Sequence, residues 1–205
     1  PLAQTGVLSY VKWDKFMLWF KILVSCVPAA VVGLLFDEQL EAMFYNYQTV
    51  SIALIVFGIA FIVIENRNAS QHSRINSLAD ITFNTALLIG IFQLIAAIFP
   101  GTSRSGATIV GALLLGVSRT VAAEFTFFLA IPVMFGASLL KLVKFGFLFT
   151  TAELIILVIG MIVAFMVSVV VIKFLMGYIK KHDFKVFGWY RIVLGILVLA
   201  YFLMR

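Results

Sequence analysis

The stretch Pro100-Gly101-Thr102-Ser103-Arg104-Ser105-Gly106-Ala107-Thr108 is a polar, glycine-containing break in a chain that is apolar over long runs on both sides. Proline followed by glycine predicts that a helix ends here. The single charge, Arg104, lies where the surrounding hydrophobicity predicts membrane. A charged side chain in that setting is costly unless it has a partner, so it predicts a functional site.

The composition of the whole chain supports a membrane setting. The 205 residues are 63% hydrophobic and 12% charged, whereas soluble domains average roughly 45–50% apolar and roughly 25% charged residues. This excludes an ordinary soluble domain. A net charge of +6 would suggest nucleic acid in a soluble protein, but Lys and Arg lie mostly in short loops, as the positive-inside rule requires. No nucleic-acid partner is predicted, and the single cysteine, Cys26, excludes an intrachain disulfide.

Long apolar runs predict five membrane-spanning helices. They lie at about residues 16–36, 50–64, 120–143, 154–175 and 187–204. An acidic loop at 37–41 and an exposed polar loop at 65–80 are predicted between them. Trp189, Tyr190 and Arg191 are predicted to anchor the last span at the membrane interface.

Residues 81–99 and 105–116 predict a re-entrant helix pair, because the second piece is too short to cross a membrane alone. Such backbone is tolerated at membrane depth only where it is buried in protein or lines a cavity. The positive-inside rule places the flanking Arg74 and Arg119 on the same, cytoplasmic side. The predicted fold is therefore an all-α integral membrane protein, a polytopic helix bundle that forms one transmembrane domain over residues 1–205.

The residue types around Arg104 favour an anion site. Gly101 and Gly106 allow a tight turn that exposes backbone N–H groups, and the following helix adds the positive end of its dipole. Arg104 supplies a planar fork that suits phosphate. Hydroxyl donors come from Thr102, Ser103, Ser105 and Thr108. A set with many donors and no carboxylate predicts a phosphate or diphosphate ligand.

Two alternatives remain open from these residues. The small residues could simply let helices pack closely, with Arg104 paired to Glu124. If the site is catalytic, Ser103 or Ser105 could attack phosphorus while Arg104 stabilises the phosphoryl oxygens. No base is evident nearby, and Glu124 is the one supporting carboxylate at hand, so the metal ligands are unknown. The loop histidines His72 and His182 are weaker candidates.

The central motif and the segments after it together resemble the undecaprenyl-diphosphate phosphatase family, the bacitracin-resistance type of bacterial membrane phosphatase. The segments that carry the resemblance are Pro100–Thr108, Gly116-Val117-Ser118-Arg119, Ala122-Ala123-Glu124-Phe125 and Ala130-Ile131-Pro132. The resemblance implies dephosphorylation of the C55 lipid diphosphate to the monophosphate carrier used for peptidoglycan synthesis, and bacitracin resistance. It also implies an inverted-topology repeat with two re-entrant pairs and six spans. The family's phosphate-binding motif falls on Gly101, Ser103, Arg104, Ser105 and Thr108.

The resemblance carries further expectations. The family uses a divalent cation, Mg²⁺ or Ca²⁺, and works in the bacterial plasma membrane with its active site facing the outer side. The expected partners are the lipid diphosphate and membrane lipids, and a homodimer is left open.

One departure from the family is expected to matter. The family has an N-terminal glutamate-rich helix leading to a Ser-Ser-Thr-Gly-His turn, and nothing in residues 1–99 matches it. The expectation is that this chain begins after the first re-entrant pair and one span, and that alone it is inactive. The competing interpretations are a polyprenyl-phosphate transporter or flippase that uses the same anion site, and a purely structural membrane subunit.

Overall fold

The computed structural model describes residues 13–69, 73–146 and 149–204. Over these ranges the chain forms seven α-helices and one short 3₁₀ helix, Leu78–Asp80, with a single isolated β-bridge. The predicted all-α class is confirmed. The helices are α1 (Trp13–Phe44), α2 (Tyr47–Ala69), α3 (Phe83–Ile98), α4 (Arg104–Leu114), α5 (Arg119–Phe145), α6 (Thr151–Ile179) and α7 (Lys185–Leu203).

Five of these helices, α1, α2, α5, α6 and α7, are long and apolar enough to cross a membrane. The protein is therefore a multi-pass membrane protein. Residues 151–174 of α6 are exposed on every side. An all-round apolar surface of this kind is favourable only where lipid or protein replaces water.

Close helix pairs form the bundle, and small residues at their contacts make the approach possible. A Cβ atom added at Gly90 of α3 would lie 2.2 Å from the carbonyl oxygen of Ser25 in α1. One added at Gly188 of α7 would lie 2.8 Å from the carbonyl oxygen of Gly58 in α2. These two contacts hold α3 against α1 and α7 against α2, and so fix the frame around α4.

Helices α3 and α4 form a hairpin whose two ends are tied together. The N–H groups of Arg74 and Ile75 donate to the Gly116 carbonyl at 2.9 and 3.1 Å, and the Ser118 N–H donates to the Ile75 carbonyl at 2.9 Å. We call this the base of the hairpin, and the turn at residues 99–103 its tip. The hairpin returns to the level at which it started, so α5 begins beside the end of α2. Its re-entrant placement in a membrane stays a prediction.

Two predicted loops are wrong in part. Helix α1 continues to Phe44, so the acidic residues 37–41 form its last turns, and Asp37 lies 3.9 Å from Lys144 Nζ of α5. Helix α2 continues to Ala69, and Glu65 is fully buried inside the fold instead of exposed. The backbone hydrogen bonds of a helix form within the helix and do not depend on a membrane. Polar residues can therefore continue a helix beyond its apolar run. His72 falls outside the described residues.

Candidate functional site

The tip of the hairpin is a tight turn pressed against the start of α2. Thr102 is buried, and its hydroxyl donates to the Phe99 carbonyl at 2.9 Å. Gly101 has a φ of 93°, a left-handed conformation that favours glycine. A Cβ there would also lie 2.8 Å from the Val50 carbonyl oxygen. Thr102 and Gly101 thus shape the turn, and Thr102 does not offer its hydroxyl to solvent.

Ser103 begins α4 in a strained conformation. Its φ is 63°, the one positive φ among the described non-glycine residues, and such conformations cluster at functional sites. Its Oγ accepts a hydrogen bond from the Gly106 N–H at 3.3 Å and lies 3.2 Å from Ser105 Oγ. The Ser103 carbonyl accepts from the Ala107 N–H at 3.0 Å. The capping bonds of Ser103 therefore hold its hydroxyl beside that of Ser105.

The first turn of α4 presents a set of unused donors. Helical geometry gives the N–H groups of Arg104 and Ser105 no acceptor within the helix, and the helix dipole makes this end positive. The side chains of Arg104 and Ser105 are exposed. In the described part of the chain, Arg104 has no ion pair and no side-chain hydrogen bond. This end of α4 is suited to an oxyanion.

A second arginine, Arg191 of α7, lies against the same turn of α4. A Cβ added at Gly106 would lie 2.7 Å from Arg191 Nη1 and 3.0 Å from Nη2. The guanidinium carbon is 4.7 Å from the centre of the Phe61 ring, in cation–π geometry. Nη1 is buried, and within the described residues it has no hydrogen-bond partner. A side chain at Gly106 would therefore displace the guanidinium of Arg191 from this position.

Sequence reasoning missed Arg191. It was predicted to be an interface anchor together with Trp189 and Tyr190, and those two aromatic side chains are indeed exposed. Arg191 instead turns toward Phe61 and α4. The signal that could have found it is a charge inside an apolar span, the same rule that singles out Arg104.

Thr108 braces α4 against α5. Its side chain is buried, and its Oγ1 donates to the carbonyls of Arg104 and Ser105, both at 3.1 Å. Thr108 Oγ1 also lies 3.0 Å from Thr126 Oγ1. Thr108 holds the first turn of α4 in place from below, and its hydroxyl is not exposed to a ligand.

The structure does not bring Glu124 to Arg104. Glu124 instead lines a cleft of about 400 Å³ near the base of the hairpin, together with Lys15 and Lys21. No ion pair joins Glu124 to Arg104 among the described residues. The pairing that the sequence left open is therefore not formed. The physical reason is distance along the helices: Thr126 is already level with Thr108, and Arg104 lies a further helical turn away.

The donors gathered at the tip do not by themselves hold a divalent cation. Such cations take carboxylate and carbonyl oxygens, whereas this site offers two guanidinium groups, two hydroxyls and backbone N–H groups. Over the described ranges, no group of three or more His, Cys, Asp or Glu residues could hold a metal ion.

Comparison with known proteins identifies the family of the chain. The family model described as bacitracin resistance protein BacA matches residues 3–197. The undecaprenyl-diphosphatase of Desulfitobacterium hafniense is 72% identical over 195 residues, which are 95% of this chain and 70% of that relative. Undecaprenyl-diphosphatase 1 of Clostridium acetobutylicum is 69% identical over 203 residues, which are 99% of this chain and 74% of that relative. The chain belongs to the bacitracin resistance protein BacA family.

Proposed function

We propose that this protein dephosphorylates undecaprenyl diphosphate to undecaprenyl phosphate, which recycles the lipid carrier for peptidoglycan synthesis and gives resistance to bacitracin. The observation that carries the proposal is the convergence of Arg104 and Arg191 on the first turn of α4, beside two serine hydroxyls. The names of the closely similar relatives support the same substrate.

The geometry suits a diphosphate because negative charge is its dominant property. Arg104 and the open N–H groups of α4 can bind the phosphoryl oxygens directly, while Arg191 adds positive charge from behind the turn. In phosphoryl transfer the charge spreads over the equatorial oxygens of the transferred group. Donors that are already held in place stabilise that charge without further rearrangement. Ser103 and Thr108 contribute by fixing the turn.

The reaction itself exchanges one phosphorus–oxygen bond for another. An oxygen nucleophile attacks the terminal phosphorus while the bond to the bridging oxygen breaks, and undecaprenyl phosphate leaves with that electron pair. The attacking oxygen belongs to a water, which gives inorganic phosphate directly, or to Ser103 or Ser105, in which case a water then hydrolyses the phosphoserine to release inorganic phosphate. The family resemblance implies that the acid and base groups are glutamates and a histidine of the family's N-terminal motif.

Orientation, cation and assembly belong to the same proposal. Basic residues gather at the base end of the bundle, among them Arg67, Arg74 and Lys180, while the tip points to the end where Asp37 and Glu41 lie. The positive-inside rule therefore supports a base on the cytoplasmic side and a tip toward the outer side of the plasma membrane. The requirement for Mg²⁺ or Ca²⁺ and the homodimer stay predictions.

Phosphate release from undecaprenyl diphosphate in detergent tests the proposal. The assay compares two samples. One is this chain alone, and the other is this chain together with the part of the Clostridium acetobutylicum relative that lies outside the match, which we call the supplied chain. We expect release only from the supplied chain, and loss of that release with Arg104→Ala. Lys141→Ala, a substitution of an exposed lysine in α5, serves as the control. Movement of the lipid across liposomes without any phosphate release would overturn the proposal in favour of a carrier.

A further inference from the structure

A second polar cleft lies at the base end of the bundle, away from the tip. Its volume is about 460 Å³, and its walls come from the end of α2, the start of α5 and the connection between α6 and α7. The lining is polar, with cationic, hydroxyl and amide side chains, one imidazole and one carboxylate. They are Asn68, Ser73, Ser118, Arg119, Thr120, Lys180, Lys181, His182 and Asp183, with the end of α6 at Ile179.

Arg119 is held in this cleft by a buried carboxylate. Its Nε donates to Glu65 Oε1, and Glu65 is fully buried, whereas the Arg119 side chain is 35% exposed. Over the described residues, the two terminal Nη groups of Arg119 have no acceptor. A guanidinium that is fixed on one edge and open on the other is pre-organised for an oxyanion.

The start of α5 adds backbone donors to the same wall. Ser118 is the capping residue, yet its side chain makes no capping hydrogen bond. Helical geometry leaves the N–H groups of Arg119 and Thr120 without an acceptor in the helix. The positive end of the α5 dipole therefore faces the cleft that Ser118, Arg119 and Thr120 line.

The connection between α6 and α7 supplies the remaining charge. Lys180 and Lys181 are exposed lining residues. The one acidic lining residue, Asp183, lies 3.4 Å from Lys185 Nζ and accepts a hydrogen bond from the Lys185 N–H at 3.2 Å. Lys185 therefore compensates the negative charge of Asp183. Lys180 and Lys181 therefore supply the uncompensated positive charge of the cleft, beside the open Nη groups of Arg119, whose charge is shared with Glu65.

We propose that this base cleft is a second phosphate-binding site, whose ligand is a phosphate group carried by an anionic phospholipid or free as inorganic phosphate. The positive-inside rule accounts for lysines in a short loop. It does not account for an arginine clamped by a buried glutamate at a helix start. Helix α4 has 11 residues and is therefore about 16 Å long, so one phosphate cannot occupy both the tip and the base cleft.

The test removes the two exposed lysines, which no packing contact requires. The variant Lys180→Gln/Lys181→Gln is compared with Lys141→Gln/Lys144→Gln, a matched pair at the opposite end of the bundle. Both are made in an Arg104→Ala background, which weakens binding at the tip equally in the two variants. Native mass spectrometry of the detergent-purified chain measures retained phosphatidic acid, with phosphatidylcholine as the neutral lipid and inorganic phosphate as competitor.

We expect the Lys180/Lys181 variant to bind phosphatidic acid about 30-fold more weakly than its background. Each of the two lysines should contribute an equal factor to the affinity for an anionic lipid. The Lys141/Lys144 variant should bind as its background does. Displacement of the lipid by inorganic phosphate would identify free phosphate as an occupant, and no displacement would identify the lipid headgroup alone. An equal loss in both variants, or retention of phosphatidylcholine as strong as that of phosphatidic acid, would overturn the proposal.

Discussion

Arg104 and Arg119 lie at opposite ends of the short α4 region and are used in opposite ways. Arg119 donates to a fully buried glutamate 54 positions earlier in the chain, whereas Arg104 is exposed and without a protein partner in the described ranges. The first charge joins α2 to α5. The second is left open at a strained helix start. Among the described residues, Arg119 is thus tied into the fold through Nε while its Nη groups stay open, whereas every side-chain donor of Arg104 is open.

The largest effect expected from this contrast is on catalysis. Arg104→Ala in the supplied chain should lower the rate of phosphate release by at least about 1000-fold, because an arginine that contacts a transferring phosphoryl group contributes roughly 10³–10⁵ in rate. The free energy of unfolding should change by less than about 0.5 kcal/mol, since no contact is lost. Steady-state kinetics and thermal melting in detergent measure the two. A large loss of stability would instead place Arg104 in the fold.

Arg119→Ala should give the reverse pattern. Removing one partner leaves a buried carboxylate uncompensated and should lower the free energy of unfolding by about 3 kcal/mol. Binding of farnesyl diphosphate at the tip, measured by isothermal titration calorimetry, should be little changed. A second substitution, Glu65→Leu, removes the stranded charge and should restore part of the melting temperature. Unchanged stability in Arg119→Ala would show that the pair is not structural.

Arg191 tests whether the contrast holds for a charge that is buried. Arg191→Met should weaken farnesyl diphosphate binding by about 2 kcal/mol, or roughly 30-fold, the size of the attraction between two unit charges about 8 Å apart at an effective dielectric constant of about 20. The melting temperature should stay equal or rise, because an apolar side chain of similar length removes an unpaired buried charge. Lower stability with unchanged binding would assign Arg191 to its contact with Phe61 alone.

Gly101→Ala probes the shape of the tip. The positive φ and the approach to the Val50 carbonyl should together cost about 2 kcal/mol of stability. Gly146→Ala is the matched control, because Gly146 also has a positive φ, 87°, but nothing lies within 4 Å of an added Cβ. Equal losses in both variants would mean that the contact with Val50 costs nothing.

Ser103→Gly should produce a small gain in stability. Relief of the strained φ is offset in part by the lost capping bond to Gly106, so a net gain of about 0.5 kcal/mol is expected in thermal melting. Phosphate release by the supplied chain then shows which oxygen attacks the phosphorus. Loss in Ser103→Gly with retention in Ser105→Ala points to Ser103 Oγ, and retention in both points to water.

The sequence predicts the elements that are determined by residues close to one another in the chain. Apolar runs are long enough to specify the five long helices, and Pro100-Gly101 specifies the end of α3. The extent of α1 is not visible in this way, because residues 37–41 are polar and yet lie in its last turns. Length and hydropathy report the part of a helix that suits a membrane, not the full helix.

The elements of the site that the sequence does not predict depend on distant partners. Glu65 looks like a loop residue until Arg119 is placed beside it, and Arg191 looks like an anchor until α7 packs on α2 and α4. Thr102 and Thr108 have the right residue type for phosphate binding, but their hydroxyls are used by backbone carbonyls. Residue type alone does not show which donors the fold itself consumes.

The closed base of the α3–α4 hairpin has a consequence for how the chain is laid out. Because the segment between Ile75 and Val117 starts and finishes at one point, it does not alter the direction in which α5, α6 and α7 run. A segment with that property can be gained, lengthened or lost by a gene without inverting any helix that follows it. The part of the molecule that carries the candidate chemistry is therefore also a part that evolution could vary while the surrounding bundle keeps its orientation.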